Sequence, residues 1–246
     1  MLLEIDNFEQ FKVFFDVVYD ITELIELQLF KTHMTCSILD KAHVRFMSVT
    51  FQSDFFSSYE IDDVESVTLF AEDLHKIIKS ANKIDTVILM TNEDHLVCKF
   101  ESNNGNSRVF EFVLPADYIE SPQPPSISLP VAFELNLSDL KQGIKDLKII
   151  GSNEIQFNIS NNLLSLTSGI ETTTNYSSNI PITVECKYPI SARYTMDYIE
   201  QVLKFEKIDK IGRIQLNGDM PFVYEIEDEI MGIKVKGMIA PRTEVD

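Results

Sequence analysis

The sequence predicts an α+β protein built from two similar domains, and three observations predict it. Five of the nine prolines fall between Pro115 and Pro130. Proline fixes φ and has no N–H, so this stretch fits neither a helix interior nor a central strand. A short strand followed by a helix precedes it (Leu3 to Val18), and the same pattern follows it (Phe133 to Leu147). The order strand, helix, strand, turn, strand then occurs twice at similar offsets, over residues 66–101 and 187–227. A repeat this long marks a duplicated domain rather than a short-period solenoid. The expected division is a first domain over 1–115, a linker over 116–130 that Pro124-Pro125 makes semi-rigid, and a second domain over 131–246.

Each element has its own signal. Phe8, Phe11, Phe15 and Val18 recur at helical spacing after Asn7, an expected N-cap, while Glu9, Lys12 and Asp16 form a mixed outer stripe. Three strand-like stretches follow, alternating around Leu24, Leu27, Ile38, Val44, Phe46 and Val49, with a turn at Asp40 to His43. The helix expected over 71–83 turns Leu74, Ile77, Ile78 and Ala81 inward and Lys76, Lys79 and Lys83 outward. Arg108, Phe110, Phe112 and Leu114 alternate in a half-buried strand with the character of an edge.

After the linker, Ser138 is the expected cap of a helix over 138–150, with Leu140, Ile144 and Leu147 inward and Lys141, Lys145 and Lys148 outward. Two strands meet at the turn Asn161-Asn162. A helix over 195–210 carries Met196, Ile199, Val202 and Leu203 inward, and Asp197, Glu200, Lys204 and Lys207 outward. Strands at IGRIQL, FVYEIE and IKVKGMIA close the pattern.

The chain has 246 residues, 44% hydrophobic and 24% charged, enough to bury two cores. Its start becomes charged without a basic region, so no secretory signal is expected, and no apolar run is long enough to span a bilayer. Three cysteines, an odd number, favour a reducing compartment over a disulfide framework. Net charge is −18, which by itself disfavours nucleic acid. Its distribution argues the other way. The four expected helices hold 10 of the 21 basic residues and 11 of the 39 acidic ones, leaving 11 basic against 28 acidic elsewhere. The helices are nearly neutral and everything else is acidic.

Catalytic and metal chemistry find little support. His33-x-x-Cys36 and His95-x-x-Cys98 have a ligand-like spacing, but residues i and i+3 of a strand point to opposite faces. No nucleophile elbow, Walker A or dinucleotide glycine motif occurs. Neither enzymatic activity nor a cofactor is expected. One lysine stripe is usually a solvated face, but stripes in equivalent helices of both repeats of an acidic chain suit sequence-independent contacts to phosphates.

ILDKAHVRFMSV (Ile38 to Val49), the acidic proline-bearing linker and the late IAPR (Ile239 to Arg242) together resemble the proliferating cell nuclear antigen (PCNA) sliding clamps of archaea, eukaryotes and some viruses. The resemblance spans both repeats. It implies a DNA clamp fold: a ring of three two-domain subunits, antiparallel sheets outside and two helices per domain on the inner face, encircling duplex DNA. Lys12, Lys76, Lys79, Lys83, Lys141, Lys145, Lys148, Lys204 and Lys207 would then line the channel. It further implies a non-catalytic processivity factor that tethers polymerase, clamp loader, ligase and nuclease through their PIP-box peptides. The receiving residues would be Leu39, His43 and Val44, then Ile119, Pro122 and Pro124, then Pro221, and Met238, Ile239, Ala240 and Pro241. Subunits would join between the strand carrying Arg108, Phe110 and Phe112 and the stretch 172–182, with Tyr176 and Ile180. Location would be cytoplasmic in an archaeon, or a nuclear or viral replication compartment.

Three departures stand out. Prolines occupy linker positions where many members carry aliphatics, the first and fourth helices have mixed outer faces, and the second domain looks trimmed near TTTNYSSN. The trimmed edge leaves open a subunit of a heterotrimeric clamp-like ring in repair or checkpoint signalling. An unrelated acidic adaptor is the remaining alternative.

Overall fold

The computed structural model describes residues 1–6, 8–82, 85–92, 94–116, 119–169, 174–186 and 188–242. It divides into two compact units, one comprising Met1–Lys41, Met47–Pro124 and Asp228–Val235, the other Ala42–Phe46, Pro125–Glu227 and Lys236–Asp246.

The first half of the chain runs β1 (Leu2–Ile5), α1 (Glu9–Val18), β2 (Leu24–Leu29), β3 (His33–Leu39), β4 (Arg45–Gln52), β5 (Ser58–Glu60), β6 (Glu65–Phe70), α2 (Ala71–Lys79), β7 (Asp85–Asn92), β8 (His95–Ser102) and β9 (Ser107–Val113). The second runs β10 (Val131–Asn136), α3 (Leu137–Ile149), β11 (Glu154–Ser160), β12 (Leu163–Ser168), β13 (Ser177–Pro181), β14 (Ile190–Thr195), α4 (Met196–Val202), β15 (Ile211–Leu216), β16 (Phe222–Asp228) and β17 (Ile233–Ile239).

The repeat is topological. Strand order β1-β7-β8-β9 in the first half of the chain matches β10-β15-β16-β17 in the second half, and β6-β2-β3-β4 matches β14-β11-β12-β13. Every register determined is antiparallel. One element breaks the match. β5 adds to the outer edge of β1, pairing Leu3 with Tyr59, and among the described residues β10 has no such neighbour.

Local chemistry explains the elements. Asn161 and Asn162 both hold positive φ, so the β11–β12 hairpin closes in two residues with Ser160 opposite Leu163; asparagine tolerates that left-handed conformation and matches the strand twist. The cap of α3 is Asn136 rather than Ser138: its Oδ1 accepts from the Ser138 N–H and hydroxyl. The expected Asn7 cap lies outside the described residues. The helix expected over 195–210 is α only to Val202, then tightens into a 3₁₀ segment over Leu203–Lys207.

Both cores are aromatic. Phe11 and Phe14 of α1 meet Phe51 at 5.3 and 6.1 Å, Phe11 also meets Phe55 at 6.5 Å, and both pack on Phe15 at 4.8 and 5.0 Å. In the second unit Phe157, Tyr194 and Phe222 form a triad at 5.3 to 5.8 Å. Each such ring contributes on the order of 1.5–3 kcal/mol by leaving water. Burial pushes the Tyr194 hydroxyl pKa far up, and that hydroxyl donates to the Met220 carbonyl at 2.8 Å. Two glycines permit close approach. A Cβ on Gly143 of α3 would lie 2.7 Å from Leu166 on β12, and one on Gly237 would enter the Tyr224 ring.

Candidate functional site

The helices present the lysines unequally. Buried Phe11, Val13, Phe14, Phe15, Val17 and Val18 leave α1 only a narrow polar stripe, where Lys12 and Asp16 are half-buried. On α2, Leu74 and Ile78 are buried while Lys76 and Lys79 are exposed. Lys76 Nζ lies 2.6 Å from Glu72 Oε1 one turn earlier, and this hydrogen bond raises the lysine pKa and lowers the glutamate's. Lys83 lies outside the described residues.

Between these faces stands a residue that periodicity did not single out. His75 is buried, its Nε2 2.8 Å from Asp16 Oδ1, and the Tyr19 ring stacks on it at 4.3 Å and 5°. Asp16 and Tyr19 are three apart on α1, so together they clasp one side chain of α2. The stripe read as solvent-facing is here partly a helix–helix seam.

In the second unit the exposed row of α3 is Lys141, Lys145 and Lys148. Two of the three are paired across to the neighbouring helical segment, Lys141 with Glu206 and Lys148 with Glu200, the latter at 2.6 Å. Lys207 is exposed and Lys204 half-buried. Acidic side chains expected merely to dilute the face instead hold two of its lysines.

The edge strands have distinct characters. β9 is outermost in its sheet, with Arg108, Phe110 and Phe112 half-buried and Val109, Glu111 and Val113 exposed. Arg108 is engaged within its own unit. Its Nη2 lies 2.8 Å from Asp85 Oδ2, both terminal nitrogens donate to the Ser80 carbonyl at 3.2 Å, and the guanidinium sits over Phe100 at 4.9 Å. Asp85 is buried, and the Ser102 hydroxyl, the Asn82 N–H and Arg108 together hold its pKa below the usual carboxylate range. Phe110 packs on Phe100 at 5.7 Å.

In the other unit β13 is the outermost strand, with Ile180 half-buried. Tyr176 precedes the strand and leans on α3, its hydroxyl donating to Asp146 Oδ2 at 3.0 Å. The segment expected to be trimmed thus retains a five-residue strand, while 170–173 lie outside the described residues.

The residues expected to receive a partner peptide occur in both units. In the first, Leu39, Ile119 and Pro122 are half-buried and Pro124 is exposed. Between Ile119 and Pro122 lies Ser121, whose N–H donates to the buried Glu26 carboxylate at 3.1 Å. In the second, His43 is exposed with φ 57°, Val44 and Pro221 are half-buried, and the Val44 carbonyl accepts from the Ala240 N–H at 2.8 Å. Met238, Ala240 and Pro241 are half-buried. Ile239 is 3% exposed, so its side chain belongs to the core and only its main chain can serve a surface.

Comparison with known proteins establishes the fold and shows which proteins the chain resembles. Residues 2–121 match the family described as proliferating cell nuclear antigen, N-terminal domain. A DNA polymerase sliding clamp from Methanothermobacter thermautotrophicus is 27% identical over 94% of this chain and 93% of its own. The proliferating cell nuclear antigen of Caenorhabditis elegans is 23% identical, over 88% and 87%. The crystal structure of PCNA from Thermococcus kodakaraensis superposes with a TM-score of 0.86 at 18% identity, covering 98% of this chain and 99% of that one, which establishes the fold. With its duplicated β–α topology and its lysine-bearing helix pairs, the chain is similar along its whole length to PCNA-type sliding clamps, and its first half matches the PCNA N-terminal domain model.

Proposed function

We propose that this protein is a DNA sliding clamp: a non-catalytic ring that encircles duplex DNA and tethers the enzymes working on it. The observation that carries it is the duplication itself. Each unit offers one helix pair with outward lysines, and each sheet pair ends in an open strand, β9 in one unit and β13 in the other. Two different edges on one chain suit a heterologous, head-to-tail contact, which closes into a ring when the rotation allows. Main-chain pairing there would also cover two edges otherwise open to aggregation. With domains 1–115 and 131–246 joined by 116–130, three copies supply six domains.

The lysines of both units face the phosphates in this account, as point charges without sequence preference. Partner proteins, polymerase first among them and clamp loader, ligase and nuclease by family analogy, dock PIP-box peptides on the linker, on His43 and Val44, and on the 238–241 segment. An aromatic anchor entering an apolar site fits that chemistry. Among the described residues no helix is long and apolar enough to cross a membrane.

The polar composition of β13, with serines at 177 and 178 and Asn179, favours a second possibility. A subunit that relies on a different partner there would join a heterotrimeric ring. Sedimentation at micromolar concentration separates the two: a mass of three chains supports self-closure, and a monomer transfers the account to the heteromeric ring. Val109→Asp with Val113→Asp, at the two exposed valines of β9, should turn a homotrimer into monomers.

A further inference from the structure

We propose that Arg242 is a positioning residue for the partner-peptide site, fixing the rib of main chain from Ala240 to Arg242 in its receptive shape through the buried carboxylate of Glu154. The role rests on the docking function assigned above to residues 238–241, and it adds a residue outside that set.

The rib is pinned at both ends. The Ala240 N–H donates to the Val44 carbonyl and the Arg242 N–H to the Arg193 carbonyl, each at 2.8 Å. Pro241 between them has no N–H, so it adds no main-chain donor of its own. The second pin depends on a side-chain anchor. Arg242 Nε lies 3.0 Å from Glu154 Oε1, and Arg193 Nη1 lies 3.9 Å from Oε2 of the same carboxylate. Glu154 is 6% exposed at the start of β11, packed so close to Gly169 that a Cβ there would press on its side chain. A buried carboxylate requires compensation by charge and hydrogen bonds, and its Oε2 has no hydrogen-bond partner among the described residues. Among the described residues Arg242 supplies the closer of two charged contacts to Glu154, and Glu154 in turn fixes where the arginine and its main chain lie. Without Arg242, the end of the rib is left with a single main-chain bond.

A peptide that docks only on the ordered rib binds with an apparent affinity scaled by the ordered fraction. Loss of the anchor should therefore slow association and leave dissociation unchanged, whereas direct contact between Arg242 and peptide would act on dissociation. The test uses the full-length protein, a synthetic PIP-box peptide and stopped-flow fluorescence, with Arg242→Ala, Arg242→Lys and Met238→Glu. Arg242→Ala should lower the association rate roughly tenfold, the scale of one residue's backbone ordering. Arg242→Lys should recover part of it, and hydrogen exchange at the residue 242 amide should accelerate in Arg242→Ala while β15 and β16 stay protected. A wild-type association rate in Arg242→Ala, or a loss carried by dissociation, overturns the positioning role while Met238→Glu still abolishes binding. Unchanged binding in Met238→Glu removes the docking site itself, and the role of Arg242 with it.

Discussion

The two helix pairs share an apolar periodicity but close their polar faces by opposite means. In the first unit the seam between α1 and α2 is sealed with a buried histidine, His75, held by Asp16 and roofed by Tyr19. In the second, the face between α3 and the α4 segment is crossed by two exposed lysine–glutamate pairs, Lys141–Glu206 and Lys148–Glu200. One arrangement consumes polar groups to join helices. The other leaves them on the surface but neutralises them in place. Duplication fixed the topology, and the charge on each face then diverged. A lysine stripe alone therefore overstates the positive charge the second unit offers to a phosphate.

The largest expected effect breaks the comparison by reversing charge on both faces. Lys76→Glu and Lys79→Glu combined with Lys141→Glu and Lys145→Glu should abolish polymerase processivity on primed DNA while sedimentation still gives the parent mass. Unchanged processivity would remove the helices from the DNA-facing surface.

The next sharpens it. Glu200→Gln with Glu206→Gln releases Lys148 and Lys141, and both lysines become available to DNA. Duplex affinity should rise, and the slope of log affinity against log salt should steepen by up to about two, at roughly 0.9 per added phosphate contact. Glu72→Gln frees Lys76 alone and should give about half that change. Equal or absent effects would mean the ion pairs do not limit the face.

A third prediction concerns stability in the first unit only. Asp85 ties the start of β7 to the β8 end at Ser102 and to the β9 edge through Arg108. Its folded pKa lies below the unfolded value, so its contribution is present above about pH 4, the unfolded range, and is lost as pH falls through the folded value. Asp85→Asn should destabilise at pH 7 by about 2–3 kcal/mol, in the range of charged hydrogen bonds, and should flatten the acid limb of the denaturation curve. An acid limb identical to that of the parent would place the acid-sensitive carboxylate elsewhere.

The smallest effect is at the helix starts. Asn136 caps α3 with its side chain, whereas Phe8 gives α1 no side-chain cap. Asn136→Ala should destabilise the second unit by about 1 kcal/mol in urea denaturation, and Ser138→Ala by less, since Ser138 donates to the cap rather than forming it.

The sequence made legible what local periodicity encodes. The closing strands over 211–216, 222–228 and 233–239, the hairpin at Asn161-Asn162 and most of the inward helix rows could be read directly, although Ile77 is only half-buried and Ala81 lies past the end of α2. What escaped depends on side chains far apart in the chain. Lys141 and Glu206 are 65 residues apart, His75 and Asp16 are 59, and Arg108 and Asp85 are 23. Nothing in the spacing around any one of them reveals the other. The misassigned cap at Ser138 was a local error of a different kind. Asn136 and Ser138 are both good capping residues, and only the strand register that ends β10 at Asn136 decides between them.

A topological assay tests the central claim, that copies of this chain encircle DNA, most directly. The protein is loaded by a clamp loader onto a singly nicked circular plasmid, isolated by gel filtration in high salt, and refiltered after the plasmid is cut once. An encircling ring stays on the circle through the salt wash, because topology rather than charge retains it, and runs off once the DNA has ends. Loss from the circle in salt, or equal retention on circle and linear DNA, would contradict the account.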